Sequence, residues 1–160
     1  MRMGRTYSDQ YVSAAGEMDY QSNTNVSWVD GSGFKLTYLL FCFLIWAFLH
    51  MSRWISPEEC WTVLNVIHGV TTFVFFHWIK GSHSDAQGIY SGLTMYEQID
   101  GGIPYTMTKK FLMVIPAYIC WMACHVSNYK PVVNIVNVGM FLLSIIPKVP
   151  DARSVHFRFK

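Results

Sequence analysis

Charge is what this chain has little of. Charged side chains make up 14% of its 160 residues, and the formal net charge is only +2. A typical soluble domain carries about 25% charged residues. No Lys/Arg cluster or stripe is present, so the electrostatic footprint of nucleic-acid binding is missing. Cysteine is sparse as well. Cys42, Cys120 and Cys124 lie inside apolar blocks and Cys60 at the edge of one. That placement reads as buried free thiols, not as a disulfide framework. Cys120 and Cys124 share a helical face, but no further Cys or His completes a zinc set of ordinary spacing. Also absent are G-x-S-x-G, a P-loop, H-E-x-x-H and G-x-G-x-x-G, so no enzyme class is signalled. Glu97 and Asp100, at i and i+3, could form an acid/base pair. Capping or solvating a short surface helix is the plainer reading. The first 33 residues hold no apolar core, so no cleavable signal peptide is expected. The first apolar block then serves as the insertion signal.

What is present is apolar and unevenly spread. Hydrophobic residues make up 52% of the chain and mean hydropathy is +0.24. They gather in four blocks: Leu36 to Met51, Cys60 to Ile79, Phe111 to Val126 and Val132 to Ile146. A soluble bundle would set polar residues on one face of each helix. These blocks are apolar nearly all round, as membrane spans are. Ser56-Pro57-Glu58-Glu59 has the form of a helix start, with a capping Ser, Pro in the first turn and carboxylates at the positive end. The expected fold is an all-α membrane protein of about four short transmembrane helices in a compact bundle, with an extended N-terminal arm. Its divisions would be a polar cytosolic arm over 1–33, a four-span domain over 34–150 with a connector at 80–110, and a tail over 151–160. Blocks three and four offer about 15 or 16 apolar residues, against the roughly 20 of a full crossing. Such short spans suit a thin bilayer such as that of the endoplasmic reticulum.

The cations give an orientation. Four spans with both termini cytosolic put Arg2, Arg5, Lys35, Lys80, Lys109, Lys110, Lys148, Arg153, Arg158 and Lys160 on one side, and only Arg53 and Lys130 on the other. Ten against two is a strong positive-inside bias.

Several polar residues interrupt the blocks. Asn65, His68 and Thr72 share one face of the second span, and Asn134 and Asn137 share one face of the fourth. Interhelical hydrogen bonding is the main expectation for them, and a ligand or ion pathway the alternative. A small membrane redox or transport protein using these His and Asn residues is therefore the rival function. His50, His68, His77 and His125 do not arrange readily as haem ligands. His68 and His77, for example, lie on opposite sides of one helix, about 13 Å apart along it. No cofactor or metal is expected.

Taken in order, a set of short strings resembles one family. They are Asn23-Thr24-x-Val26, Trp61-Thr62-x-x-Asn65-x-Ile67-His68, Phe76-His77-x-x-Lys80-Gly81 and Asp85-x-Gln87-Gly88. Leu93-Thr94-x-x-Glu97-Gln98-x-Asp100, Lys110-Phe111-Leu112, a central Pro116 and Pro147-Lys148-x-Pro150 follow. Together, over about Asn23 to Phe157, they resemble the ORMDL (Orm) family of endoplasmic reticulum membrane proteins. The resemblance implies a non-catalytic subunit that restrains serine palmitoyltransferase and senses ceramide. The implied partners are the large subunits of that enzyme, with its small activating subunit as a further candidate, besides ceramide and membrane lipid. It also implies that Asn23 contacts ceramide. An amide side chain can both donate to and accept from ceramide's hydroxyl and amide groups. Asn65, His68, Asn137 and Tyr96 are candidates for helix packing or partner contact. Met95-Tyr96 departs from the family's usual aromatic or His followed by Trp. The arm ahead of Asn23 is long, and Ser8, Ser13 and Ser22 are candidate phosphorylation sites by position.

Overall fold

The computed structural model describes residues 23, 25–81 and 92–149. Most of the expected arm with its three serines, the middle of the connector and the tail lie outside them. A single turn, α1 (Ser27–Asp30), leads into α2 (Phe34–Met51). Then come α3 (Pro57–Phe73), α4 (Met95–Gln98), α5 (Met107–Val126) and α6 (Pro131–Ile145). Among the described residues there is no strand, only one antiparallel bridge between Lys80 and Thr94.

Four helical stretches are long and apolar enough to cross a membrane: Phe34–Met51, Pro57–Trp78, Met107–Val126 and Pro131–Lys148, of 18, 22, 20 and 18 residues. The third and fourth therefore exceed their apolar blocks. Thr106 caps α5 by accepting from the Lys109 amide at 3.3 Å, which draws the polar Thr108, Lys109 and Lys110 into its first turn. A 3-10 turn, Ile146–Lys148, extends α6. At 1.5 Å per residue, 18 residues reach about 27 Å, close to the hydrocarbon thickness of a thin bilayer.

The start of α3 is as its sequence implied. The Ser56 amide and hydroxyl both donate to the Glu59 carboxylate, at 3.2 and 2.8 Å, with Pro57 in the first turn. Short turns join α2 to α3 and α5 to α6, so neighbouring helices run antiparallel. α3 is central and packs on α2, α5 and α6. It comes closest to α6 at Gly69, where an added Cβ would lie 2.8 Å from Met140 Cε and 3.3 Å from Ser144 Oγ. Lys35, Lys80, Lys109, Lys110 and Lys148 consequently share the end of the bundle where the arm lies. Arg53 and Lys130 share the other, where Lys130 pairs with Glu58 at 2.9 Å.

Apolar packing holds the two ends of the bundle. At the arm end Val26, Val29, Phe34, Phe76, Tyr96, Ile99 and Leu112 form one cluster; at the far end Leu49, Cys60, Leu64 and Ile119 form another. The middle is different, because Asn65, His68, Thr72, Asn137 and Ser144 are buried there.

Pro116 sits inside α5 and has no N–H, so the Leu112 carbonyl one turn earlier loses its helical donor. Lys148 fills that position: its buried ammonium donates to the Leu112 oxygen at 2.9 Å. The end of α6 is thereby pinned to α5 where α5 is missing a bond. Lys148→Met should cost about 1–3 kcal/mol, the penalty of a buried carbonyl left without a donor. In a Pro116→Ala background, where the backbone supplies the donor, the same substitution should cost much less. Unfolding of the four variants in detergent micelles measures that coupling.

Candidate functional site

The polar residues inside the spans bond to one another. Asn65 Nδ2 on α3 donates to both the backbone oxygen and Oδ1 of Asn137 on α6, each at 3.1 Å. Asn137 Nδ2 returns a bond to Thr62 Oγ1 at 3.2 Å, and the Cys120 thiol of α5 lies 3.5 Å from the Asn137 carbonyl. Three helices meet on one fully buried amide. His68 Nε2 lies 2.6 Å from the Tyr38 hydroxyl of α2, ring edge to face, and Thr72 Oγ1 donates back to the His68 carbonyl at 2.7 Å. Together these bonds engage all four helices. Among the described residues, His68 Nδ1 and Asn134 Oδ1 are buried without a partner. No group of three metal-ligating side chains occurs among those residues.

A second polar cluster lies at the arm end, and its shape follows from local sequence. α3 ends in a π-helical turn, Val74–Trp78, in which the Ile79 amide reaches back to the Val74 carbonyl. Wide turns of this kind re-aim side chains. Here Phe76 is buried edge-on to Tyr96, and His77 lies 5.3 Å from the same ring. The connector helix α4 is held by a capping box, in which the Thr94 amide donates to Glu97 at 2.7 Å and the Glu97 amide to Thr94 at 3.3 Å. Glu97 is therefore a cap, as the plainer reading had it. Asp100 starts a left-handed turn (φ 51) through Gly101 and Gly102, and its carboxylate accepts from the Thr106 hydroxyl. Glycine tolerates such φ values without steric cost. Lys109 donates to the Ile103 carbonyl at 2.8 Å with its ammonium 5.6 Å over the Tyr96 ring.

Asn23 docks onto this cluster. Its Nδ2 donates to Gln98 Oε1 at 3.0 Å and its Oδ1 accepts from the Asn25 amide at 3.1 Å. The Asn23 carbonyl caps the turn below, accepting from the Val26 and Ser27 amides. Asn25 Nδ2 also reaches Gln98 Oε1, at 3.2 Å. The arm beside them is anchored by buried Val26 and Val29, and Trp28 leans on Phe34 and Phe75. Asp30 lies against the Asp100 carboxyl, and burial, followed by that neighbouring charge, raises its pKa above the usual carboxylate value.

The candidate residues thus fall into two places. Asn65, His68 and Asn137 join the helices at mid-span, Asn23 sits at the arm end, and Tyr96 is buried beneath the arm and connector. Gln98 was missed as a site residue, though it stands in one of the strings that carry the family resemblance. Tyr38 and Thr62 were missed as partners. The Thr94-x-x-Glu97 capping box was a readable signal for where α4 begins.

Four antiparallel apolar helices with an internal hydrogen-bonded layer define a polytopic helical membrane protein. The ORMDL family model matches residues 23–156. The chain is 32% identical over 135 residues to ORM1-like protein 1 of Homo sapiens, covering 83% of this chain and 88% of that protein. It is 31% identical over 132 residues to Protein ORM1 of Saccharomyces cerevisiae, covering 80% of this chain and 59% of that protein. It is 29% identical over 142 residues to ORM1-like protein 3 of Mus musculus, covering 88% of this chain and 93% of that protein. The chain belongs to the ORMDL family. The match begins at Asn23, which with Asn25 bonds to Gln98.

Two outcomes follow. Asn137→Ala should destabilise the bundle by about 1–3 kcal/mol, because Asn65 loses the Oδ1 acceptor, keeping only the backbone carbonyl, and Thr62 loses its donor. Adding Asn65→Ala should then cost little more, a non-additivity that unfolding in micelles can read. For the arm, a raised Asp30 pKa in the docked state means docking favours the protonated carboxyl. Its hold should be firmest in acid and weaken as pH climbs above the ordinary carboxylate value of 3.8. Asp30→Asn should flatten that dependence, measured as amide-exchange protection at Val26 and Ser27 corrected for intrinsic rates.

Proposed function

We propose that this chain is a non-catalytic regulatory subunit that restrains serine palmitoyltransferase in response to ceramide, and so controls sphingolipid synthesis. The observation that carries the reading is Asn23. It opens the family match, and its amide is held in a fixed orientation at one end of the bundle. With one bond to Gln98 and one from Asn25, the Asn23 amide retains a donor and an acceptor site among the described residues. Those two functions match the hydroxyl and amide of ceramide.

In this reading the protein lies in the endoplasmic reticulum membrane with both termini and the arm end cytosolic. The short spans and the lysines gathered at the arm end support that orientation. The spans dock beside the enzyme's large subunits, with its small activating subunit a further partner. The arm, stabilised by ceramide, obstructs substrate entry. Ceramide shifts the arm's population only through its greater affinity for the docked state. Among the described residues, the rival redox or transport function is left only His68 Nδ1 and Asn134 Oδ1 as unpartnered buried atoms, since Asn65 and Asn137 bond to each other and His68 Nε2 to Tyr38.

Two measurements test the proposal. The chain should co-purify with serine palmitoyltransferase subunits from detergent extracts, and loss of that association would remove its basis. Asn23→Ala should assemble normally yet blunt ceramide inhibition of the enzyme by about tenfold or more in half-inhibitory concentration, the scale of one or two lost hydrogen bonds. Undiminished sensitivity would refute the role of Asn23.

A further inference from the structure

Gln98 is the last residue of α4 and is 1% exposed. Its side chain makes four hydrogen bonds, two on each side of the amide. Nε2 donates to the Gly81 carbonyl at 2.9 Å and to the Leu93 carbonyl at 3.2 Å. Oε1 accepts from Asn23 at 3.0 Å and from Asn25 at 3.2 Å. A glutamine amide has two N–H donors and an oxygen with two lone pairs, so this one is saturated. Rotating it by half a turn would set its oxygen against two carbonyls and its NH2 against two amide donors. Its orientation is therefore fixed by its surroundings.

The two carbonyls belong to a closed structure. The Gly81 amide donates to the Leu93 carbonyl at 2.9 Å, beside the Lys80–Thr94 bridge. This pairing joins the start of the connector to the residues just before α4. Gln98 thus has one side on the connector's closure and the other on the arm. Moving Gly81 and Leu93 apart would free the glutamine to turn, and Asn23 would lose its oriented acceptor.

We propose that Gln98 is the positioning residue of the ceramide sensor: it orients the Asn23 amide and makes arm docking conditional on closure of the connector at Gly81 and Leu93. This rests on Asn23 being the ceramide contact, as set out above. Gln98 itself need not touch the lipid. The mechanism is a chain of four amides, in which the backbone pair at Gly81 and Leu93 orients Gln98, and Gln98 orients Asn23. A buried amide network of this kind holds one geometry only when every member is satisfied.

The test uses the full chain in its complex with serine palmitoyltransferase and, separately, alone in lipid nanodiscs. In the complex, Gln98→Met should raise the ceramide concentration for half-inhibition about tenfold, from the loss of its bonds to the arm. Gln98→Glu keeps an oxygen for Asn23 but sets a second one against the Gly81 and Leu93 carbonyls, so it too should weaken the response. Asn23→Ala with Gln98→Met should be little worse than Asn23→Ala alone, because the glutamine acts chiefly through the asparagine and only its bond to Asn25 remains to be lost. A ceramide response unchanged in Gln98→Met, or a loss that adds in full to that of Asn23→Ala, would overturn the proposal.

In nanodiscs the readout is amide exchange. Val26 and Ser27, whose N–H groups bond the Asn23 carbonyl, should exchange faster in Gln98→Met, while Leu64 and Ile119 in the spans keep their protection. Unchanged protection at Val26 and Ser27 would overturn the proposal even with ceramide left out. If Gln98→Met loosens the spans as well, the same comparison is made with Gln98→Glu, which keeps the side chain's size but turns an oxygen onto the Gly81 and Leu93 carbonyls. Because this arm uses no ceramide, a failure of the Asn23 reading alone would show as ceramide-insensitive inhibition with arm protection still dependent on Gln98.

Discussion

A polar group inside hydrocarbon has no water to bond, and much of this bundle's polar architecture meets that constraint, His68 Nδ1 and Asn134 Oδ1 being exceptions. The Asn65–Asn137 pair is its plainest expression. Asn137 has a side-chain amide and a backbone carbonyl to provide for: Thr62 accepts from its Nδ2, Asn65 donates to both oxygens, and the Cys120 thiol lies against the backbone one. Apolar packing alone draws helices together weakly in lipid, where the surrounding chains are as apolar as leucine. Directional bonds at mid-span therefore determine which face of α6 meets α3. Gly69 then permits the close approach that those bonds require.

The same constraint explains the two buried lysines. An ammonium withdrawn from water needs acceptors. Lys148 finds one in the carbonyl that Pro116 leaves without a donor, and Lys109 finds the Ile103 carbonyl beside the face of Tyr96. Both belong to the lysines gathered at the arm end, and both help to close that end of the bundle. The opposite end lacks this arrangement, and its Lys130 meets Glu58 at an exposed surface.

The spans were legible because they depend on composition, and the block boundaries missed only what depends on capping. Thr106 and the 3-10 turn at Lys148 lengthen α5 and α6 past the last apolar residues. The shared face of Asn65, His68 and Thr72 was legible from helical spacing. Their partners were not, since spacing within one helix says nothing about which neighbour faces it. Tyr38 and Thr62 are ordinary span residues until α2, α3 and α6 are brought together. The end of the arm was read as polar chain, yet Val26 and Val29, three residues apart, give it one apolar edge, and α1 forms where that edge packs. Asn23 was singled out only through family resemblance. Its contact with Gln98 spans 75 positions, a separation at which no local pattern operates.

That separation bears on how a sensor of this kind can work. An asparagine in a free arm presents its amide in every direction, and water occupies its donors and acceptor. A ligand binding it there gains little and favours no arm position. Docked, the same amide is held by Gln98 and Asn25, and its second donor and second acceptor site, without a partner among the described residues, keep a fixed relation. The ordering entropy of the amide is then met by the fold before the ligand arrives, which is the condition for preorganised binding. The affinity difference between docked and free arm is what a population shift requires. In the proposed function, the intramolecular bond to Gln98 is therefore no competitor of ceramide. It is the source of ceramide's preference for the inhibitory arm.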